Sequence, residues 1–145
     1  MPQFSIISLN ISTSKGEKKT PVDSVELKVD HGIVGDAHAG NWHRQVSLLA
    51  QEDIEYMVAK GADVSAGDFA ENITTQSVAL AELPVGTKLF IGDTELEVTQ
   101  IGKECHKGCA ILKQVGDCIM PRRGIFAKVI KPGSITCESI GRYSL

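Results

Sequence analysis

The sequence predicts a mainly β fold, a closed or nearly closed antiparallel β-barrel with one or two short helices. Three observations support this prediction: many short stretches of β-type composition, turn residues at close spacing between them, and no alternation of strands with helices. With 145 residues, 42% of them hydrophobic, the chain can build one core of its own. We therefore expect a single β-barrel domain over residues 1–145.

The N-terminal part contains two predicted strands. Residues 4–9 mix β-formers with serines on both faces, which indicates a mostly buried strand. Residues 13–21 are polar and charged and end on a proline, which is typical of a loop. Val25, Leu27 and Val29 then alternate with charged residues, so we expect a half-buried strand with these three on its inner face.

One helix is predicted at residues 51–60, because acidic residues open it and apolar residues follow at i, i+3, i+4 spacing (Ile54, Met57 and Val58). Gly61 can supply the left-handed residue that ends a helix. The remaining predicted strands are 45–49, 73–75, the hairpin strands 88–91 and 94–101 around the turn 92–93, 125–130, and a last short strand at Ile135.

Composition excludes several classes of function. A formal net charge of −3 and a pI near 5.8 provide no broad basic surface, so we expect neither nucleic acid nor a membrane as partner. The start of the chain lacks signal-peptide features, and no apolar run reaches the length of a membrane span. We expect a cytoplasmic protein, in which cysteines are free, catalytic or metal-bound rather than paired.

Residues 102–112 contain a cluster of potentially reactive cysteine, histidine and lysine side chains. Cys105 and Cys109 have lysine, histidine and glycine neighbours, the setting that lowers a thiol pKa toward thiolate. A structural zinc site would use both with Cys118 and a histidine, but no CxxC pair is present. Cys137 has the neighbours of a small buried hydrophobe.

Three further groups of residues are candidates for binding an anion. Residues 31–44 form a loop rich in glycine and histidine, in which His38, His43 and Arg44 bind an anion or metal or simply fix the loop. In the polar turn 67–72, the pair Glu71 and Asn72 is equally open, because Asn in a turn often bonds its own backbone. Arg122 and Arg123 are a fork for phosphate or carboxylate, or a solvated pair.

Five blocks of sequence in this order resemble the MOSC family, the molybdenum cofactor sulfurase C-terminal domain, in its short stand-alone form. They are GDAHAG at 35–40, HRQVSLL at 43–49, GDFAENITT at 67–75, LPVGT at 83–87, and Lys103-Glu104-Cys105-His106 with Cys109. Each block alone is weak, whereas five at matching separations are specific.

The resemblance implies a β-barrel domain with a reactive cysteine near a pocket. We predict a sulfur carrier or sulfur-transfer protein that uses a persulfide on Cys109 or Cys105, linked to molybdenum cofactor or other sulfur-containing metabolite chemistry. Lys103, His106 and the arginines would keep the thiolate ionised and position an anionic small-molecule acceptor. A sulfur donor such as a cysteine desulfurase is the expected protein partner.

Two alternatives remain open at this stage. The first is a binding module for molybdenum cofactor (molybdopterin) or molybdate, in which a cysteine ligates the metal and Arg44, Arg122 and Asn72 hold the pterin phosphate. The second is a stand-alone enzyme that cleaves a carbon–sulfur bond and leaves persulfide on the cysteine. The residues themselves require no cofactor.

Overall fold

The computed structural model describes residues 2–14, 18–102 and 123–145. The strands in these ranges are β1 Gln3–Ile11, β2 Thr20–Val22, β3 Ser24–Lys28, β4 Gly32–Ile33, β5 Val46–Ala50, β6 Ile73–Gln76, β7 Lys88–Ile91, β8 Thr94–Ile101, β9 Ile125–Lys131, β10 Gly133–Thr136 and β11 Ile140–Ser144. Helix α1, Gln51–Ala59, follows β5 directly, and a 3₁₀ helix, Leu80–Glu82, lies between β6 and β7.

Seven strands close into a barrel in the order β11-β7-β8-β9-β5-β6-β1, and β1 pairs with β11 to complete the circle. Strand β2 extends the sheet from β1, while β10, β3 and β4 form a separate three-stranded sheet. Closure leaves the seven barrel strands without an unpaired edge. The predicted mainly β barrel is therefore confirmed.

One pair of barrel strands departs from the antiparallel pattern. Strands β5 and β6 run parallel, with Leu48 opposite Ile73 and Ala50 opposite Thr75. Parallel neighbours need a crossover connection, and α1 lies in that connection. The sequence predicted an antiparallel barrel because strands and helices do not alternate along the chain, and this single parallel pair is the exception to that pattern.

Helix α1 forms where its composition predicts it. Glu52 and Asp53 lie in its first turn, and Gly61 follows it with φ of +99°. Ile54 and Met57 are buried, but Val58, which was expected on the same face, is 49% exposed. No helix in the described ranges is long and apolar enough to span a membrane.

Apolar side chains pack into two clusters on opposite sides of the barrel wall. The larger one includes Leu9, Leu48, Ile73 and Ile125, and the smaller one lies beneath α1 and includes Phe126. Alternation along the strands produces this division, because neighbouring residues of a strand point to opposite faces.

Four expectations for individual segments were wrong. Strand β1 is half-buried rather than mostly buried, since Ile7 and both serines near it face outward. Val29 lies beyond the end of β3 and is 45% exposed. Ile135 does not lie on the last strand, because β11 follows, and Cys137 is exposed rather than a core residue.

Candidate functional site

The segment that carries the predicted sulfur chemistry is inserted between β8 and β9. These strands pair as far as Ile101 and Ile125, and the amide of Gly102 donates to the carbonyl of Gly124 at 2.6 Å. Both attachment points of the segment therefore lie side by side on the barrel rim. The site residues predicted within it lie outside the described residues: Lys103, Cys105, His106, Cys109 and Arg122, together with Cys118.

A β-bulge next to this attachment point redirects the end of β8. The register shifts between Val98 and Gln100, which leaves Thr99 as the extra residue. The Thr99 hydroxyl lies within hydrogen-bonding reach of two carbonyl oxygens, those of His43 and Phe126. The bulge thereby holds the end of the 31–44 loop against β8.

Gln100 connects two predicted binding residues to the rim. Its Oε1 accepts a hydrogen bond from Arg44 Nε at 3.1 Å and lies 2.9 Å from His43 Nε2, while its Nε2 donates to the Gly102 carbonyl at 2.8 Å. A carboxamide oxygen is only an acceptor, so His43 Nε2 carries a proton in this arrangement.

Stacking also fixes the position of the Arg44 guanidinium. Its Cζ lies 5.2 Å from the centroid of the Phe126 ring, a cation–π contact. Its terminal amino groups make no hydrogen bond within the described part of the chain. Arg44 is thus a half-buried cation in a fixed orientation, and its terminal N–H groups are the donors that could bind an anion.

Arg123 is held on the other side of the attachment point. Its Nε donates to Oδ1 of Asp53, in the first turn of α1, at 3.2 Å. Burial raises the pKa of Asp53 above its ordinary 3.8, although the Arg123 charge and hydrogen bond oppose this shift. The other carboxyl oxygen, Oδ2, is buried and has no hydrogen-bond partner among the residues that the structure describes.

A second network centres on a lysine that the sequence did not single out. Lys19 Nζ lies 2.8 Å from Asp36 Oδ1, 3.1 Å from Ser12 Oγ and 2.9 Å from His38 Nδ1. The Lys19 and Asp36 side chains are both fully buried. The loop predicted at residues 13–21 therefore ends on a core cation and then enters β2, rather than remaining solvated throughout.

The Asp36 carboxylate is satisfied on both oxygens. Oδ1 also accepts from the Ser12 amide at 3.1 Å, and Oδ2 accepts from the His38 amide at 3.0 Å. Burial disfavours the charged form, but the Lys19 ammonium and these amides outweigh that effect and hold the pKa of Asp36 below its ordinary 3.8.

Asn72 ties three barrel strands together. Its Oδ1 accepts from the Ser47 amide and hydroxyl at 3.0 and 3.1 Å, and its Nδ2 donates to the Asn10 carbonyl at 3.1 Å. The side chain is fully buried. The geometry gives Asn72 a role in fixing strand ends, while its binding of a pterin phosphate stays a prediction.

Glu71 is buried beside it with an incomplete set of partners. The Thr74 hydroxyl donates to Oε2 at 2.8 Å, whereas Oε1 has no hydrogen-bond partner within the described part of the chain. Burial raises the pKa of Glu71 above its ordinary 4.5, and nearby backbone amides and the Thr74 hydroxyl oppose the shift. Its predicted contact with a ligand stays a prediction.

Strand pairing brings these groups together on one part of the barrel. Ser47, which bonds Asn72, lies opposite Phe126 on β9, and Phe126 lies opposite Gln100 on β8. Arg44 stacks on the same Phe126 ring. A continuous row therefore runs from the buried amide network to the cationic rim.

Sequence reasoning missed Lys19, Gln100 and Asp53. Each gains its role from a partner distant in sequence, such as the 56 residues that separate Arg44 from Gln100. For Lys19 the sequence contained one indication that it is not an ordinary loop residue, because it directly precedes strand β2. A cluster of three or more His, Cys, Asp or Glu suited to a metal does not occur among the described residues.

Comparison with known proteins agrees with this architecture. The YuaD protein of Bacillus subtilis has a TM-score of 0.83 at 17% identity, with 99% of this chain and 97% of that chain covered. YiiM from Escherichia coli has a TM-score of 0.73 at 16% identity, covering 100% and 71%. YiiM from Geobacillus stearothermophilus has a TM-score of 0.71 at 19% identity, covering 98% and 75%.

These likenesses, all below 25% identity, concern the fold, and no curated protein matches the chain in sequence. The sequence pattern of the MOSC domain matches residues 35–139, well over half of the 145 residues. This range contains the 31–44 loop from Gly35 onward, the 67–72 turn and the cysteine segment. The chain belongs to the MOSC domain family.

Proposed function

We propose that the protein transfers sulfur through a cysteine persulfide formed on Cys105 or Cys109. One observation carries this proposal: the segment with both cysteines is attached to the barrel beside an oriented, half-buried Arg44. A cation near a thiol favours the thiolate, which is the nucleophilic form. Membership of a family with sulfur- and molybdenum-related roles agrees with this chemistry.

Covalent geometry limits how far the thiols extend from that cation. Cys105 follows Gly102 by three residues, so their Cα atoms are at most about 11 Å apart. The Gly102 carbonyl is joined to Arg44 by the single carboxamide of Gln100. Cys109 is constrained less, because it follows Gly102 by seven residues and their Cα atoms can be about 25 Å apart.

The proposed step is a sulfur transfer between two thiols. The cysteine thiolate attacks the outer sulfur of a donor persulfide, R–S–SH, forms a new S–S bond and releases R–S⁻. The product is Cys–S–SH, which holds one more sulfur atom at the sulfane level, with no net oxidant required. Delivery to an acceptor nucleophile reverses the exchange and regenerates the thiol.

The donor is proposed to be a protein persulfide such as that of a cysteine desulfurase, and the acceptor an anionic small molecule. Arg44 presents unshared donors for a carboxylate or phosphate of that acceptor, and Arg123 adds positive charge on the other side. A reducing compartment such as the cytoplasm keeps the thiols available.

Mass spectrometry after treatment with glutathione persulfide tests the proposal. We expect a gain of about 32 Da, one sulfur atom, on the peptide containing Cys105 or Cys109. Replacing the reactive cysteine with serine should abolish the gain. The matched control is Cys137→Ser, which removes an exposed thiol outside this segment. Equal labelling of Cys137 in the wild-type protein, or no adduct on either candidate, would overturn the proposal.

Binding of molybdenum cofactor is a second candidate, favoured by the same Arg44 donors, which suit the phosphate of a pterin. A bound cofactor would supply a molybdenum centre for a cysteine thiolate to ligate. Asn72 fits this role poorly, since its carboxamide already bonds Ser47 and Asn10. Incubation with molybdopterin followed by gel filtration and pterin fluorescence tests it, with Arg44→Met expected to lose the bound pterin.

A further inference from the structure

We propose that Gln100 is a positioning residue that restricts Arg44 to binding an oxyanion end-on, through the two terminal nitrogens of its guanidinium group. The matching ligand is a carboxylate or phosphate group that presents two oxygens to this pair of nitrogens. The observation behind the inference is the 3.1 Å hydrogen bond from Arg44 Nε to Gln100 Oε1. The ligand class rests on the proposed function, whereas the restriction of Arg44 does not.

A guanidinium group has two edges that can bind two oxygens of one anion. The side edge combines Nε with one terminal nitrogen, and the end edge combines the two terminal nitrogens. Gln100 Oε1 accepts the only N–H of Arg44 Nε, so the side edge cannot hold a second oxygen. The terminal nitrogens of Arg44 make no hydrogen bond with the residues that the structure describes, which leaves the end edge for a ligand.

The surroundings of Gln100 determine which way its carboxamide points. Oε1 also lies 2.9 Å from His43 Nε2, and the carboxamide nitrogen donates to the Gly102 carbonyl at 2.8 Å. A half-turn of the carboxamide would place its NH₂ group against Arg44 Nε, which is always a donor, and its oxygen against the Gly102 carbonyl, which is always an acceptor. Because both contacts would be repulsive, the oxygen must face Arg44.

The β-bulge in β8 is what brings Gln100 to Arg44. In a regular strand Gln100 would share the face of Leu96 and Val98, which are fully buried in the barrel interior. The extra residue in the bulge instead places Gln100 opposite Phe126, the ring on which Arg44 stacks. Phe126 and Gln100 therefore hold the same guanidinium group, one over its plane and the other at its side edge.

Hydrogen exchange of arginine side chains, followed in ¹H–¹⁵N spectra, tests the restriction directly. The Arg44 Nε–H signal, assigned by its loss in Arg44→Met, should exchange with solvent at least about tenfold more slowly than that of the exposed Arg142. Gln100→Leu removes the acceptor without changing charge and should abolish the difference. Gln76→Leu is the matched control, because Gln76 is exposed at the end of β6, and should leave Arg44 unchanged. Equal exchange of Arg44 and Arg142 in the wild-type protein, or unchanged exchange in Gln100→Leu, would overturn the role of Gln100.

Gln100→Glu separates positioning from a merely structural role. The carboxylate keeps an acceptor for Arg44 Nε, so the slow exchange of this N–H should persist. Its negative charge offsets that of the guanidinium, so phosphate binding should weaken at least about tenfold. Fast exchange in Gln100→Glu, as in Gln100→Leu, or phosphate binding as tight as in the wild-type protein would refute the inference. If Gln100→Leu fails to fold, the wild-type and Gln100→Glu spectra decide.

Titrations with inorganic phosphate, acetate and chloride at constant ionic strength test the ligand class. An oxyanion should shift the terminal nitrogen resonances of Arg44 in a saturable manner and its Nε–H resonance less, whereas chloride should produce no saturation. The oxyanion that saturates at the lower concentration shows whether the ligand group is a phosphate or a carboxylate. No saturation with either oxyanion, or a larger shift of Nε–H than of the terminal nitrogens, would overturn end-on binding.

Persulfide formation is measured separately, so the two proposals can fail independently. Absence of persulfide on both cysteines, with slow exchange of Arg44 Nε–H, would refute sulfur transfer alone. Fast exchange of Arg44 Nε–H in a protein that does form the persulfide would refute the role of Gln100 alone.

Discussion

The buried Lys19–Asp36 pair makes a quantitative prediction about stability. Lys19→Met leaves the fully buried Asp36 carboxylate with backbone amides but no cation. Breaking a buried pair from one side typically costs about 3–5 kcal/mol, because an uncompensated charge remains. The free energy of unfolding of a domain of this size is about 5–15 kcal/mol, so the variant should lose at least about a fifth of its stability.

Urea denaturation at pH 7 and thermal unfolding measure this loss. The midpoint in urea should fall with little change in the slope, and Tm should fall by roughly 6–20 °C, at about 2–4 °C per kcal/mol. Adding Asp36→Asn should restore most of the stability, since replacing both members of a buried pair is often close to neutral.

Lys88→Met provides the comparison, because its ion pair with Glu97 joins side chains that are 36% and 28% exposed. Solvent screens such a pair, so its loss should be far smaller. If Lys19→Met and Lys88→Met destabilised the protein equally, or if the double variant were no better than Lys19→Met, the buried pair would not have the role assigned to it.

Three other variants test separate parts of the site. Arg44→Met should slow persulfide formation about ten- to hundredfold, because a charge-assisted hydrogen bond contributes about 1.5–3 kcal/mol; an unchanged rate by mass spectrometry would remove Arg44 from the site. Burial raises the pKa of Glu71 in the folded protein, so between its ordinary pKa of 4.5 and that raised value Glu71 binds more protons in the folded than in the unfolded state. The free energy of unfolding of the wild-type protein should therefore fall as pH rises through this range. Glu71→Gln should flatten this pH dependence, as measured by urea denaturation at several pH values. Gly67→Ala should destabilise more than Gly35→Ala, since both have positive φ but only the Gly67 Cβ would lie 2.3 Å from the Lys19 carbonyl oxygen; equal thermal shifts would contradict this.

Local pattern predicted most of the barrel. The alternation in β3, the turn between β7 and β8 and the acidic start of α1 are signals within a few residues, and all three elements form as predicted. Strand β11 was missed because Gly141 and Arg142 interrupt its apolar pattern. Its closing role depends on pairing with β1 and β7, which no local window contains.

The candidate site was predictable as a set of loops but not as a set of contacts. Glycine and polar residues marked 31–44 and 67–72, and both ranges do supply residues to the networks. The burial of Lys19 could not be predicted from its charged loop, because a buried lysine needs an oppositely charged partner, and only the fold brings Asp36 near it. In the sequence, Gln100 is likewise an ordinary residue of a predicted strand, and its contact with Arg44 depends on the bulge in β8.

The parallel pair β5–β6 explains why the two loops meet. Arg44 lies shortly before β5 and Asn72 directly before β6, and parallel strands begin at the same edge of a sheet. In an entirely antiparallel barrel, neighbouring strands begin at opposite edges, and these two residues would be separated by the length of a strand. Strand β1 runs antiparallel to β6, so its end, with Asn10 and then Ser12, reaches the same edge. The crossover through α1 is therefore the feature that converts separate loops into one site.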